Sequence, residues 1–216
     1  MVDGILATAR AQMREDGVAA LNLNEVARRI GVTTPALYKY FPSKMALYDA
    51  LFRLGTRLYV EEFTSLNLGE CASGGTAIRA ALEHQLSFAI RNPELYQLVL
   101  QRPVPGFVPS DVGLAEAAQA EGIAGATMLR WIERGLIAPK GPPERAFALL
   151  AALAEGIASA HIANEPNLPV GEGRFGSLVP DAASLIELAW KPVRRKPNVR
   201  KGARRRVRGK KEAADK

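Results

Sequence analysis

The segment GVTTPALYKYFPSK, residues 31–44, carries more hydrogen-bonding side chains than a helix that only fills a core requires. Lysine can donate to guanine or to a phosphate, tyrosine hydroxyls can donate to phosphates, and small side chains can contact a thymine methyl group. These residue types on one short helix predict contact with double-stranded DNA. The residues that we assign to this contact within the segment are Thr33, Thr34, Pro35, Ala36, Tyr38, Lys39, Tyr40 and Lys44.

The helical period decides which of these side chains share a face. With Leu37 set at zero, Phe41 falls at about 40°, so these two side chains define a buried stripe. Pro35 and Lys39 fall at about 160° and 200°, on the side that faces away from the core. Small residues at the start of that outer face allow close approach to the major groove, which admits a helix. The alternative is a short core helix whose surface happens to be polar.

Capping residues delimit the elements that position this face. Asn22 can cap a helix over residues 23–30, and Gly31 can end it because a positive φ is cheap only for glycine. Thr33 can cap the next helix, which ends at Phe41 because a residue before proline is pushed out of the α region. Two short helices joined by such a turn predict a helix-turn-helix, with the second helix as the recognition helix.

The rest of the chain also has the helical period and no convincing strand or hairpin pattern. Ser43 can cap a long helix that ends near residue 63. Further helices are predicted over residues 76–91, 93–100, 111–136, 143–164 and 181–193. The connection 165–180 is long and rich in Gly and Pro, which predicts a lid, a pocket wall or a disordered segment.

Charge divides the chain into three parts. The whole sequence has 29 Lys and Arg against 22 Asp and Glu, a formal net charge of +7. Residues 1–60 carry +3, residues 61–190 carry −7, and residues 191–216 carry +11. The composition of the last part predicts a disordered tail that binds DNA phosphates nonspecifically. A tail with no specific role, or one that contacts acidic protein or RNA, is the alternative.

Few side chains suit catalysis or metal binding. The chain has two histidines and one cysteine, with no metal-spaced cluster, no phosphate loop and no nucleophile beside a visible base. We therefore expect that the protein is not an enzyme, that it has no catalytic residue, and that it binds no metal or cofactor. The single cysteine and the lack of a secretory pattern predict a cytoplasmic protein, and the predicted DNA contact adds association with the nucleoid. The apolar run 146–163 contains Glu155 near its centre, which favours a helix buried in protein over a membrane span.

The run LNLNEVARRIGVTTPALYKYFPSKMALYDALF, residues 21–52, carries a more specific pattern. Together with Gly17 just upstream, it gives G-x-x-x-L-N before the second helix, V-A-x-x-I-G-V at the end of that helix, and T-x-x-x-L-Y-x-Y-F-x-S-K after it. In these features residues 3–54 resemble the N-terminal DNA-binding module of the TetR family of transcriptional regulators. The resemblance implies that the third helix enters the major groove and that Tyr38 and Lys44 bind phosphates. Asn22 stands where the family often has threonine, as a cap that can also touch phosphate.

The resemblance also implies the architecture of the remainder, an all-helical domain that dimerises and often holds a small-molecule inducer. We expect an all-α fold in three parts: a three-helix helix-turn-helix DNA-binding domain over residues 1–46, a helical ligand-binding and dimerisation domain over residues 47–190, and the basic disordered tail over residues 191–216. The segment RNPELYQLVL and the Ala-rich helix around Glu155 resemble one subgroup, which often has histidine where this chain has Glu155.

Two sets of residues in the second part are candidates for binding. Aromatic and sulfur side chains could line an apolar cavity with a histidine as polar anchor, or they could be ordinary core residues: Tyr96, Phe107, Met128, Trp131 and Phe147, with His84 or His161. Apolar stripes on the last two helices predict a four-helix dimer interface, or packing inside one subunit: Leu149, Leu150, Leu153, Ile157, Leu185, Leu188 and Trp190.

These features predict a ligand-responsive, sequence-specific transcriptional regulator, a repressor released from its operator by a small-molecule inducer. The inducer would favour a dimer geometry that spreads the two recognition helices away from groove spacing. The alternative is an architectural DNA-binding protein that the basic tail dominates, with little sequence preference. The expected partners are operator DNA, a second copy of the chain and an unidentified small molecule, with no membrane.

Overall fold

A computed structural model describes residues 1–192, so the predicted tail lies outside the described residues from position 193 onward. The described residues form helices and connections without a strand, which confirms the all-α prediction. The α-helices are α1 (Val2–Asp16), α2 (Leu23–Arg29), α3 (Thr34–Tyr38), α4 (Lys44–Ser65), α5 (Gly74–Arg91), α6 (Pro93–Tyr96), α7 (Asp111–Glu133), α8 (Pro143–Asn164), α9 (Gly173–Gly176) and α10 (Val179–Ala189).

Side-chain caps set the beginnings of several helices where the sequence predicts them. The Asn22 carboxamide oxygen accepts from the Asn24 backbone N–H at 2.9 Å at the start of α2. The Ser43 hydroxyl accepts from the Ala46 backbone N–H at 3.0 Å at the start of α4. Gly31 adopts φ +73° in the turn that follows α2, a conformation that other residues reach only with strain. Thr33 precedes α3, but its side chain makes no capping hydrogen bond.

The first three helices pack around one small core. It contains Ile5, Ala9 and Met13 from α1 together with Val26 from α2 and Leu37 from α3, each no more than 2% exposed. Burying each of the Ile, Met, Val and Leu side chains contributes about 1.5–3 kcal/mol. This packing holds α3 in one orientation against α1 and α2. The core therefore determines which face of α3 points to solvent.

Helix α4 leads from this unit into the larger helical body. Near its start the Tyr48 hydroxyl donates to the Val18 carbonyl oxygen at 2.6 Å, and burial raises the pKa of Tyr48 to about 12. Farther along, α4 packs against α7, while α5 packs against α8 and α10. The Trp131 indole N–H donates to the Leu68 carbonyl oxygen at 2.8 Å, which joins α7 to the turn after α4. Helix α5 thus lies at the centre of the body.

The predicted helix over residues 93–100 differs from a regular α-helix. Only Pro93–Tyr96 is α-helical, and Gln97–Gln101 form a π-helical turn. The turn closes where Arg102, at φ +50°, donates its backbone N–H to the Gln97 carbonyl oxygen at 2.9 Å. Single π turns within helices are frequent at functional sites.

The long connection 165–180 is ordered against α8. The Glu165 carboxylate accepts from the backbone N–H groups of Arg174 and Phe175 at 2.9 and 3.3 Å. These hydrogen bonds lower the pKa of Glu165, and the one from the Arg174 backbone N–H is the largest cause. The His161 ring lies under the same connection, with Nε2 3.0 Å from the Leu168 carbonyl oxygen. The connection is therefore a packed segment that covers one end of α8.

Helix α8 is the one helix in the described part of the chain that is long and apolar enough to cross a membrane by length and composition. In the structure it packs against α5, α7 and α9. About 33% of its most apolar window is buried within the chain, which leaves an apolar surface on the other side.

Candidate nucleic-acid interface and ligand cavity

Helix α3 presents the face that the helical period predicts. Leu37 is fully buried and Phe41 is 7% exposed, so both lie in the core. Tyr38 and Tyr40 are 46% and 47% exposed, and Lys39 is also exposed. The remaining predicted contact residues on this helix lie on or beside the same surface: Thr33 and Pro35 are exposed, and Thr34 and Ala36 are half-buried.

Lys44 and Asn22 lie at the two helix N-termini next to this face. The Lys44 ammonium is 3.2 Å from the Ala19 carbonyl oxygen and 5.5 Å from the centre of the Tyr48 ring. The start of the 22-residue helix α4 adds backbone N–H groups that favour an anion. Asn22 caps α2 and is exposed.

The arginines of α2 are already paired. The Glu25 carboxylate accepts from Arg28 at 2.8 Å and from Arg29 at 2.7 Å. These hydrogen bonds, with that from Arg28 the larger cause, lower the pKa of Glu25 to about 2. Arg29 also pairs with the Glu15 carboxylate at 2.8 Å, so two carboxylates balance the two arginines. Within the described part of the DNA-binding unit, Lys39 and Lys44 remain as the cations beside α3.

A buried ion cluster joins α1 to α6. The Glu94 carboxylate is fully buried and lies 2.8 Å from the Arg10 Nε and 2.6 Å from the Arg14 Nε. Arg10 also donates through Nη2 to the Asn92 side-chain oxygen at 2.8 Å. We call Arg10, Arg14, Asn92 and Glu94 the α1–α6 cluster. It fixes the position of the DNA-binding unit relative to the helical body.

A cavity of about 500 Å³ lies between α4, α5, α7 and α8. Its lining is mostly apolar, and three predicted residues contribute to it: Met128, Trp131 and Phe147. The aromatic rings that line it are those of Phe52, Tyr59, Phe63, Trp131 and Phe147. A cavity of this size and lining is typical of sites for small organic ligands.

The polar end of the cavity is built around Glu155. Its two carboxylate oxygens accept from the Tyr96 hydroxyl at 2.8 Å and from the Gln85 amide nitrogen at 3.0 Å. The Tyr59 hydroxyl donates to the Gln85 side-chain oxygen at 2.5 Å. Burial, with the adjacent Glu155 carboxylate as a further cause, raises the pKa of both Tyr96 and Tyr59. The predicted residue Tyr96 therefore does not line the cavity itself, but it holds the Glu155 side chain that does.

The other predicted ligand residues lie elsewhere. Phe107 packs against Tyr48 and Phe52, with ring centres 5.6 and 6.3 Å away. His161 lies beneath the connection 165–180, closer to the C-terminal end of α8 than the residues that line the cavity. His84 is 5% exposed and lines a separate cleft. Sequence analysis did not select Gln85, Tyr59 or Glu155, although a carboxylate within an Ala-rich helix was a usable signal.

The His84 ring is buried without a hydrogen-bond partner among the described residues, and it packs at a steep angle against the Tyr59 ring, with ring centres 4.7 Å apart. Burial lowers the pKa of His84 to about 4, whereas the unfolded chain has the ordinary value of about 6.5. The unfolded state therefore binds more protons between these values, and His84 costs stability as the pH falls through that window. We expect about 2 kcal/mol of stability to be lost between pH 7 and pH 5 through this side chain.

Urea unfolding of His84→Phe at several pH values checks this expectation. The loss of unfolding free energy between pH 7 and pH 5 should be smaller in the variant by about 2 kcal/mol. Thr56→Val is the matched control. The Thr56 hydroxyl is also buried without a partner among the described residues but does not titrate, so its replacement should shift stability equally at every pH. An unchanged pH dependence in His84→Phe would contradict the assignment.

The predicted dimer residues divide into two groups. Leu149, Leu185 and Leu188 are 53%, 68% and 73% exposed and point away from the chain's own core. The others are buried or half-buried within the chain: Leu150, Leu153, Ile157 and Trp190. The exposed leucines give α8 and α10 each an apolar face, and we call the two faces together the α8–α10 surface.

An exposed recognition helix on a three-helix unit, joined to a helical body that encloses an apolar cavity, defines the class of helix-turn-helix DNA-binding proteins with a ligand-binding domain. Residues 5–51 match the family model for bacterial regulatory proteins of the tetR family. Over these residues the chain is similar to the DNA-binding part of that family.

Solved structures share the fold across most of the chain. FadR from Bacillus subtilis in complex with stearoyl-CoA has a TM-score of 0.67 and 14% identity, covering 88% of this chain and 99% of that one. AibR in complex with isovaleryl coenzyme A and operator DNA has a TM-score of 0.63 and 17% identity, covering 89% and 99%. At these identities the likeness shows the fold alone.

Among curated proteins, the nucleoid occlusion factor SlmA of Vibrio cholerae is 30% identical over 101 residues. The match includes 42% of this chain and 47% of SlmA, so the chain spans about half the length of this relative.

Proposed function

We propose that the protein is a dimeric transcriptional regulator that reads an operator through α3 and responds to a small molecule bound in the cavity. The observation that carries the proposal is the exposed face of α3, with Tyr38, Lys39 and Tyr40 all turned to solvent on a well-packed unit. The solved structures of this fold include one with operator DNA, and two hold acyl-CoA ligands. Repression, with release by the ligand, is part of the proposal.

Each exposed side chain has a specific role in this proposal. Lys39 donates to guanine or to a phosphate, and the hydroxyls of Tyr38 and Tyr40 donate to phosphates. The small residues at the start of α3 contact bases closely, and Lys44 with Asn22 binds a phosphate at the adjoining helix starts. The domain boundary near residue 46 stays a prediction, as α4 runs through from Lys44.

Two recognition helices are needed for an operator with two half-sites, which makes the α8–α10 surface the proposed dimer interface. Half-sites about one helical turn apart, roughly 34 Å, require two copies held at a fixed distance. Leu149, Leu185 and Leu188 supply an exposed apolar face of the kind that homodimers bury. A DNA-binding regulator of this family also implies a cytoplasmic or nucleoid location.

We expect purified full-length protein to protect a specific segment of the DNA upstream of its own gene and to prefer it over scrambled DNA. Lys39→Ala should weaken that binding by about 10-fold, because each good contact to a base or phosphate contributes about 1–3 kcal/mol. Lys140→Ala, which removes an exposed cation far from α3, is the matched control and should bind as the wild type does. Equal affinity for both DNAs would contradict the proposal.

A second candidate function rests on the net charge of +11 over residues 191–216. An architectural protein that this segment dominates would bind DNA through phosphates, with little sequence preference and a steep salt dependence. Comparing the full chain with a version ending at Trp190 across a salt series separates the two. Sequence preference that survives truncation supports the regulator, whereas binding that is lost with the segment supports the architectural protein.

A further inference from the structure

The cavity combines a carboxylate with aromatic surface. Five aromatic rings line it, and Glu155 is the charged group at its polar end. Both hydrogen-bond donors to Glu155, the Tyr96 hydroxyl and the Gln85 amide, are neutral. Each carboxylate oxygen accepts one hydrogen bond from the chain and can accept another from a ligand.

The charge of Glu155 has no partner within the described residues. Among residues 1–192 no Lys, Arg or His nitrogen lies within 4.0 Å of its carboxylate, whereas Glu94, the comparable acid at the α1–α6 cluster, lies within 2.8 Å of two arginines. The two other charged residues of the cavity lining, Arg102 and Glu121, have opposite signs and are exposed to water. They contribute no net charge to the cavity, and Glu155 leaves it negative.

A negative group at the end of an aromatic cavity favours a positive ligand for two additive reasons. The Coulomb attraction between a carboxylate and a cation strengthens where water is excluded. The faces of aromatic rings attract cations, and the attraction is largest when the cation is desolvated. An anionic ligand head at the same position would meet repulsion from Glu155 with no cation beside it to compensate.

We propose that the cavity binds a lipophilic cation, a protonated amine or quaternary ammonium on an apolar body, with the positive group beside Glu155 and the apolar body along the aromatic rings. This inference rests on the proposed function, since it names the ligand class of the same cavity. It separates this chain from FadR and AibR, which are seen in complex with stearoyl-CoA and isovaleryl coenzyme A, thioesters that carry anionic phosphates.

A matched set of three probes tests the charge requirement. Decyltrimethylammonium, decanoate and decanol share an apolar chain of the same length and differ in the charge of the head group. Calorimetric titration of the full-length protein gives their affinities, and the fluorescence of Trp131, which lines the cavity, reports occupancy. We expect the cation to bind at least about 10-fold more tightly than decanol, and decanoate to bind most weakly.

Glu155→Gln should lower the affinity for the cation by about 10-fold and leave decanol binding unchanged, because it removes the charge and keeps an oxygen that can accept from Tyr96. Glu121→Gln, which removes an exposed carboxylate from the same lining, is the matched control and should leave the cation affinity within about twofold. Thermal unfolding of both variants shows whether either substitution disturbs the fold.

Three results would overturn the proposal: equal affinities for the cation and decanol, a preference for decanoate, or no cation binding up to millimolar concentration. A cation affinity that is insensitive to Glu155→Gln in a folded variant would overturn it as well. Specific operator binding is measured without any probe, so the regulator proposal stands or fails on that assay, whichever ligand class the cavity accepts.

Discussion

Replacing Leu185 and Leu188 by aspartate is expected to convert the protein into a monomer and to lower its operator affinity by more than about 100-fold. These leucines are 68% and 73% exposed on α10, and the proposed dimer buries them. Burying each leucine contributes about 1.5–3 kcal/mol, and an unpaired carboxylate in the same place costs several kcal/mol more. A monomer presents one recognition helix, and the second half-site then contributes nothing to affinity.

Sedimentation at micromolar concentration and operator titration together check this prediction. Leu114→Asp is the matched control, because Leu114 is a leucine of α7 that is 39% exposed and lies outside the α8–α10 surface. It should remain dimeric and bind the operator normally. A double variant that still sediments as a dimer would show that the copies associate through another surface.

Replacing Glu94 by glutamine is expected to lower the free energy of unfolding by about 3 kcal/mol, which is the lower end for breaking a buried ion pair. The Glu94 side chain is fully buried, and its charge balances the guanidinium groups of Arg10 and Arg14. Their side chains are 23% and 46% exposed, so water can rehydrate them in part, and this keeps the cost below that of a fully buried cluster.

Urea unfolding at neutral pH measures the change. Glu62→Gln is the control because the Glu62 carboxylate pairs with Arg91 at 2.6 Å on the surface, with side chains 33% and 55% exposed. Such exposed pairs contribute about 0–1 kcal/mol, so the control should change stability little. Equal losses in the two variants would mean that the α1–α6 cluster adds no more than a surface pair.

The DNA-binding unit could be predicted closely because its signals are local. The period that separates Leu37 and Phe41 from Lys39 spans one turn of helix, and the caps Asn22 and Ser43 act on backbone groups two or three residues away. Such interactions depend little on how distant parts of the chain pack. Residues close in sequence were therefore sufficient to place the exposed face of α3.

The cavity could be predicted only in part because its chemistry joins residues far apart in the sequence. Tyr96 and Glu155 are separated by 59 positions. The same holds for the α1–α6 cluster, where Arg14 and Glu94 are separated by 80 positions. No helical period indicates which of several polar residues will meet. Glu94 also breaks the usual rule that acids lie outside, since only its two arginine partners make its burial tolerable.

The apolar stripe of α8 shows a second limit of the sequence. Leu149 and Leu150 are adjacent and chemically identical, yet the first is 53% exposed and the second is 7% exposed. A helix that is apolar on most sides has no preferred inward face by composition, so packing against α5 and α7 decides which leucine is buried.

Helix α6 contacts both the DNA-binding unit, through α1, and the polar end of the cavity, through Glu155. Glu94 binds α1 and Tyr96 binds Glu155, and the two residues lie about 3 Å apart along the helix axis. Under the proposed function, thermodynamic linkage then requires operator DNA to weaken ligand binding by the same factor by which ligand weakens operator binding. A hydrogen bond to a charged group contributes about 1.5–3 kcal/mol, so the Tyr96–Glu155 contact alone can supply a factor of roughly 10 to 150 in each direction.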